Sequence, residues 1–153
     1  MGAHYLTPLF TPESIALFGA SDREDAVGGI VFRNLLESGF EGRIYAMNPK
    51  RDKVQGQRAF SSLDDVDGSV DLAVVATPAA GIPDIVEQCG QHGVPMMLIL
   101  SAGFREVGPA GRKLEDRVMQ RARQYGIRVM GPNCLGLIRP TAGINLTFGK
   151  NNA

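Results

Sequence analysis

The stretch IALFGASDREDAVGG, Ile15 to Gly29, decides how the rest of the chain is read. Four apolar residues, Ile15 to Phe18, run straight into Gly19, Ala20 and Ser21. An apolar run that stops at a glycine has the pattern of a buried strand feeding a tight turn. Beyond the polar residues Asp22 to Asp25 comes GIVFRNLLES, Gly29 to Ser38, in which Ile30, Val31, Leu35 and Leu36 share one helical face. Gly39 supplies a stop. A helix beginning near Gly28 aims its N-terminus at the space beside Gly19. The unpaired N–H groups and partial positive charge of a helix start suit phosphate oxygens, and Ser21 adds a hydroxyl donor. The glycines do not follow the G-x-G-x-x-G spacing of a dinucleotide fingerprint. The ligand class therefore has to be read from other parts of the chain.

Working outward, the alternation repeats. Arg43–Met47 reads as a second strand ending at Asn48-Pro49, and Asp71–Ala76 as a third ending at Thr77-Pro78. Pro95–Leu100 is a fourth and Ile127–Met130 a fifth, followed by Gly131-Pro132. Pro83–Gly93 is a helix with Ile82, Ile85, Val86 and Cys89 inward; Pro109–Tyr125 is the longest helix, with Leu114, Val118, Met119 and Ala122 on its buried side. Gly56–Val66 is too short for a crossover helix and is expected to hold a small strand and one helical turn. Gly143–Phe148 is expected to add a sixth strand. Continuously apolar strands alternating with helices predict an α/β fold with a mainly parallel sheet covered on both faces. The class is Rossmann-like and doubly wound. A length of 153 residues suits a single domain. The expected division is an N-terminal arm over 1–10, a ligand-binding domain over 11–148, and the start of a linker to downstream domains over 149–153.

Composition narrows the function. Sixteen basic and sixteen acidic residues cancel, so bulk binding to nucleic acid or an anionic membrane is not expected. Any anion site is local. Two cysteines, Cys89 and Cys134, make neither a disulfide framework nor a four-ligand metal site. Cys89 falls at a core position of its helix. The run Val94–Leu100 is too short to span a bilayer, and Leu6 stands where a myristoylation signal needs Ser or Thr. A cytoplasmic protein is expected.

In an open parallel sheet the loops that follow the strands gather at one edge, where such folds bind ligands. Here they are Gly19-Ala20-Ser21-Asp22, Asn48-Pro49-Lys50, Thr77-Pro78-Ala79, Ser101-Ala102-Gly103-Phe104 and Gly131-Pro132-Asn133-Cys134. Selection of NAD asks for Asp or Glu at the end of the second strand, to accept from ribose hydroxyls. This chain has Lys50, Arg51 and Lys53 there instead. A basic cluster favours a ribose that carries a phosphate: NADP, with a 2′-phosphate, or coenzyme A, with a 3′-phosphate. The remaining loops are small and turn-prone, which suits a long, thin ligand passing close to the backbone.

Taken together, IALFGASDREDAVG, MNPKRDKVQG, DLAVVATPAAGIPDIVEQCGQHGV, LILSAGF and GIRVMGPNCLGLIRPTAGINLTF resemble the CoA-binding domain of NDP-forming acyl-CoA synthetases, a family similar to the succinyl-CoA synthetase alpha subunit. The resemblance runs from about Leu9 to Phe148. The opening YLTPLFTPESIALFGAS and the stretch FRNLLESGFEGRIYAMNPK look especially like bacterial protein lysine acetyltransferases, which carry such a region ahead of a GNAT domain. The resemblance implies coenzyme A or acetyl-CoA as cofactor. It implies that Gly19, Ala20 and Ser21, with Arg23 beside them, cradle its phosphates. Asn48, Pro49 and Lys50 would meet the 3′-phosphate, and Thr77 and Pro78 the adenosine. Ser101, Ala102 and Gly103 would line the pantetheine path, with Asn133 and Cys134 near the thiol. The synthetases pass phosphate through a histidine on a second domain. Neither His4 nor His92 matches it, so no catalytic residue and no metal site are assigned to this domain. Three functions are expected to compete: a CoA module of a larger synthetase or acetyltransferase, a non-catalytic CoA sensor, and an NADP-dependent oxidoreductase domain.

Overall fold

A computed structural model describes residues 4–149. The first three residues of the expected arm and residues 150–153 of the expected linker lie outside it.

The strands form where expected. Strand β1 (Ser14–Phe18) is buried throughout, and β2 (Arg43–Met47) lies parallel to it. A two-residue strand, β3 (Lys53–Val54), and β4 (Gln57–Phe60) make a hairpin on the far side of β2. Strands β5 (Leu72–Val75), β6 (Met96–Ile99) and β7 (Arg128–Met130) extend the sheet in the other direction, all parallel. The order is β3-β4-β2-β1-β5-β6-β7, with only β3 antiparallel. The segment 56–66 holds β4 and a 3-10 turn at Leu63–Asp65, as its length predicts. Strand β3 was not foreseen, because two residues carry no periodicity.

The chain runs outward from β1 to β2 and then returns past β1 to β5. Crossovers of one hand therefore place their helices on opposite faces. Helix α1 is one turn, Thr7–Phe10, and α2 is Val27–Glu37; α3 is Ile82–Gln91 and α4 is Pro109–Gln124. Residue parity along the strands sorts the core. Ile15, Leu17, Leu72, Val74, Met96 and Leu98 meet Val31, Phe32 and Leu35 of α2 on one face. Ala16, Phe18, Ala73, Val75, Met97 and Ile99 meet Val86 and Cys89 of α3 and Val118 and Ala122 of α4 on the other. Burial pushes the Cys89 thiol up to about 12, as befits a core side chain.

Three expectations need correction. The segment 143–148 does not join the main sheet: Ile144–Asn145 forms β9, antiparallel to β8 at Ile138–Arg139, in a separate two-stranded ribbon. Its buried Ile144 and Leu146 pack with Leu9 of α1 against the α2 side. The Asn34 side chain of α2 donates to the Thr147 carbonyl at 2.8 Å. This ribbon straps the α2 face of the sheet. Second, the start of the chain is not only an arm, since Leu9 is in the core. Third, α4 turns Gly111 and Glu115 inward, whereas Leu114 and Met119 are only partly buried. Glu115 is tolerated there because Arg105 pairs with it at 2.5 Å, and buried carboxylates require such partners.

Candidate functional site

The site starts from the reversal of chain direction at β1. The loops after β1 and β5 lie side by side with no crossover between them, which opens the crevice typical of a doubly wound sheet. Gly19 turns the chain off β1 with φ +92°, and a Cβ there would stand 2.6 Å from the Ala76 carbonyl oxygen. Only glycine satisfies both demands. The first turn of α2 then sits directly on the loop. A Cβ on Gly28 would fall 1.8 Å from the Gly19 carbonyl oxygen, and one on Gly29 would fall 2.1 Å from that of Arg23. Gly19, Gly28 and Gly29 thus divide the tasks of turning and close helix packing that a fingerprint performs at shorter spacing. Ala26 at the N-cap offers no side-chain acceptor, and no acidic residue stands in the first turn of α2. The helix start keeps its positive end for an anion.

Ser21 accepts from the Arg23 N–H at 3.1 Å, which leaves its own proton available to a ligand. Ala20 is buried. Arg23 extends into solvent and pairs with Asp25 at 3.2 Å. In the next loop Asn48 serves as a bracket. Its amide donates to the Ala20 carbonyl at 2.9 Å and accepts from the Lys50 N–H at 2.8 Å. It ties the two loops together and keeps one N–H and one oxygen lone pair for a ligand. Pro49 and Lys50 are exposed, and among the described residues the Lys50 ammonium has no ion pair. Lys50 lines a groove of about 410 Å³ with Arg51, Arg58 and Phe60, and the carboxylates Asp52 and Asp65 line it too. Arg51 pairs with Asp22 at 3.7 Å, and Arg58 stacks over the Phe60 ring at 4.6 Å.

Across the crevice, the Thr77 Oγ1 is buried and has no hydrogen-bond partner among the described residues. Its methyl carbon would lie 3.3 Å from a Cβ on Gly19, so the residue borders the β1–α2 loop. Pro78 is exposed beside it. After β6, the Ser101 hydroxyl donates to the Val75 carbonyl at 3.4 Å, and the Ser101 carbonyl accepts from Asn133 N–H at 3.0 Å. Ala102 is exposed. Gly103 has φ +104°, and its N–H donates to the Glu106 carboxylate, which also accepts from Phe104 N–H at 3.0 Å. These bonds hold the Glu106 carboxyl below its ordinary value. The Gly103 and Phe104 amides are therefore already engaged, and that half of the loop presents backbone shape more than donors. Buried Phe104 anchors it. Asn133 is exposed with φ +54°. The half-buried Cys134 thiol donates to the Ile99 carbonyl at 3.4 Å, and desolvation raises its pKa. It is a packed thiol, not an activated one.

The loops stand in the spatial order Lys50, Gly19, Thr77, Ser101, Asn133. Four steps between neighbouring strands span roughly 19 Å, so the edge accommodates an extended ligand. Its chemistry runs from cation and helix start, through a buried hydroxyl, to small neutral residues. A ligand with phosphates at one end and a thin neutral chain at the other fits that gradient, and the orphaned Thr77 hydroxyl marks where it would be held. A larger groove, about 710 Å³, lies at the other end of the sheet between Thr11–Glu13, Ser38–Gly42 and Pro140–Gly143. It carries the exposed carboxylates Glu13 and Glu41 and lies away from the loops that follow the strands. His92 caps the C-terminus of α3, the end opposite the Thr77–Ala79 loop, and lies 3.7 Å from Asp64.

Fold and edge together define a Rossmann-like module for a phosphorylated, extended cofactor. Comparison with known proteins makes this specific. Residues 13–140 match the family described as CoA binding domain, and the chain belongs to that family. Its cofactor class is coenzyme A, free or as acetyl-CoA. The chain is 39% identical over 151 residues to the alpha subunit of the ADP-forming acetate–CoA ligase I of Pyrococcus furiosus, covering 96% of this chain and 33% of that subunit. It is 41% identical over 139 residues to the ADP-forming acetate–CoA ligase of Methanocaldococcus jannaschii, covering 91% of this chain and 19% of the ligase. Among solved structures, acetyl-coenzyme A synthetase 1 of Ca. Korarchaeum cryptofilum, in complex with phosphate and ADP, superposes with a TM-score of 0.91 at 37% identity. That match covers 97% of this chain and 32% of the synthetase chain. The chain thus spans a third or less of these relatives. No helix among the described residues is long and apolar enough to cross a membrane.

Proposed function

We propose that this chain is the CoA-binding module of an ADP-forming acyl-CoA ligase, working with further domains that carry the nucleotide and phosphoryl chemistry. The observation that carries the proposal is the pairing of an uncapped helix start behind Gly19 with the unpaired Lys50 ammonium, on two loops bracketed by Asn48. The diphosphate belongs at the β1–α2 loop, against Gly19, Ala20 and Ser21. Lys50 takes the 3′-phosphate, and Thr77 and Pro78 take the adenosine side of the crevice. Ser101, Ala102 and Gly103 line the pantetheine, which ends near Asn133. When bound, coenzyme A supplies the thiol that accepts an acyl group; the residues of this chain bind and orient it. Arg23 and Cys134 contribute less than the resemblance implies, since Arg23 is committed to Asp25 and Cys134 to Ile99.

The ligase parent is favoured over a lysine acetyltransferase because the relatives above are ADP-forming ligases, similar to this chain along almost its whole length. Calorimetric titration with CoA, dephospho-CoA and NADPH tests the reading. Binding strongest for CoA, weaker for dephospho-CoA and weakest for NADPH is expected. Preference for NADPH, or binding of none of the three, would overturn it.

A further inference from the structure

The β3–β4 hairpin turns on Gln55 and Gly56, both at positive φ, +46° and +75°. Two-residue turns of this kind favour glycine, asparagine and aspartate, and a glutamine in the left-handed region is strained. The strain has a counterpart in what Gln55 touches. Its backbone N–H donates to Asp22 Oδ1 at 2.6 Å, and its side-chain Nε2 donates to the carbonyl oxygens of Ser21 at 3.0 Å and Gly29 at 2.9 Å. Ser21 opens the excursion between β1 and α2, and Gly29 lies in the helical turn that closes it. One amide therefore spans both ends of the loop. Asp22 also pairs with Arg51, the neighbour of Lys50.

We infer that Gln55 is a positioning residue for the cofactor: it holds the β1–α2 loop in its binding shape and locks that loop to the one carrying Lys50. The inference rests on the reading of this edge as the CoA site. A hairpin needing only a turn would be served better by glycine or asparagine at position 55. Neither reaches two carbonyls at once, whereas the longer glutamine amide does. Without it, a ligand has to order residues 21–29 on binding, and preorganisation is lost.

Two variants separate positioning from turn stability. Gln55→Gly relieves the positive φ and keeps the N–H bond to Asp22, but deletes the amide. Gln55→Leu keeps the strain and bulk and deletes the same donors. Both should weaken CoA binding about fivefold to tenfold, the scale of ordering a short loop on binding. The glycine variant should nevertheless unfold at a higher temperature than the leucine variant. In the ligand-free protein both should speed amide exchange across residues 21–29. Affinity that instead tracks thermal stability, or a glycine variant that binds and exchanges like wild type, overturns the inference. Failure of wild type to bind CoA would overturn the cofactor reading. The exchange data would then still judge the staple, since unchanged exchange refutes it and faster exchange supports it.

Discussion

At Thr77 a buried hydroxyl has no hydrogen-bond partner among the described residues, a condition that costs about 1–3 kcal/mol. Thr77→Val keeps the shape and removes the orphan. It should leave the ligand-free protein as stable as wild type or up to about 1 kcal/mol more stable, and it should weaken CoA binding. Denaturant unfolding and calorimetry on the same variant check both signs; a destabilised variant with unchanged affinity would remove Thr77 from the site. Lys50 is its counterpart at the charged end. Lys50→Ala should cost CoA about 1–2 kcal/mol, the scale of a hydrogen bond to a charged group, and hardly affect dephospho-CoA. Equal losses for both ligands would remove the 3′-phosphate role. Lys50, Gly19 and Thr77 were legible in the sequence because each follows a clearly apolar strand. Gln55 was not, because its meaning lies in a φ value and in partners more than twenty residues away. Gly28 and Gly29 were visible as residues, but their closeness to Gly19 and Arg23 is a property of the packed loop.

Among the elements, strands β1, β2, β5, β6 and β7 and the three longer helices were read to within a residue or two, since burial on both faces writes long apolar runs. The tail misled because Ile144 and Leu146 alternate like a strand of the main sheet, and alternation does not say which sheet is joined. The loop after β6 carries a pH prediction. Glu106 accepts from Gly103 and Phe104 N–H groups, which lowers its pKa in the folded state. A carboxyl lowered on folding contributes above its unfolded value near 4.3, and the contribution is lost as pH falls through the lowered folded value. The pH-dependent movement of the Gly103 and Phe104 amide resonances should therefore have its midpoint below that unfolded value. Movement centred at or above pH 4.3 would show that the carboxylate does not hold the loop. The basis is a set of specific amide bonds on an exposed side chain, so the effect is local to this loop.

For the molecule as a whole, one reversal of chain direction does most of the arranging. It places α2 and the C-terminal strap on one face and α3 and α4 on the other, and it sets the loops after β1 and β5 against each other without a crossover between them. The same topology leaves the two ends of the sheet chemically unlike. One carries Lys50, the α2 start and the orphaned Thr77 hydroxyl, and the other carries Glu13 and Glu41 around a larger groove. The central claim is that coenzyme A lies across the first of these ends. Mapping backbone amide shifts of the isotopically labelled protein during CoA titration tests it most directly. The account predicts a continuous band of shifts through Gly19–Ser21, Val27–Gly29, Lys50, Thr77 and Ser101–Gly103, with Thr11–Glu13 and Ser38–Gly42 unmoved. Shifts centred on Thr11–Glu13 and Ser38–Gly42, or confined to the Lys50 loop alone, would contradict it.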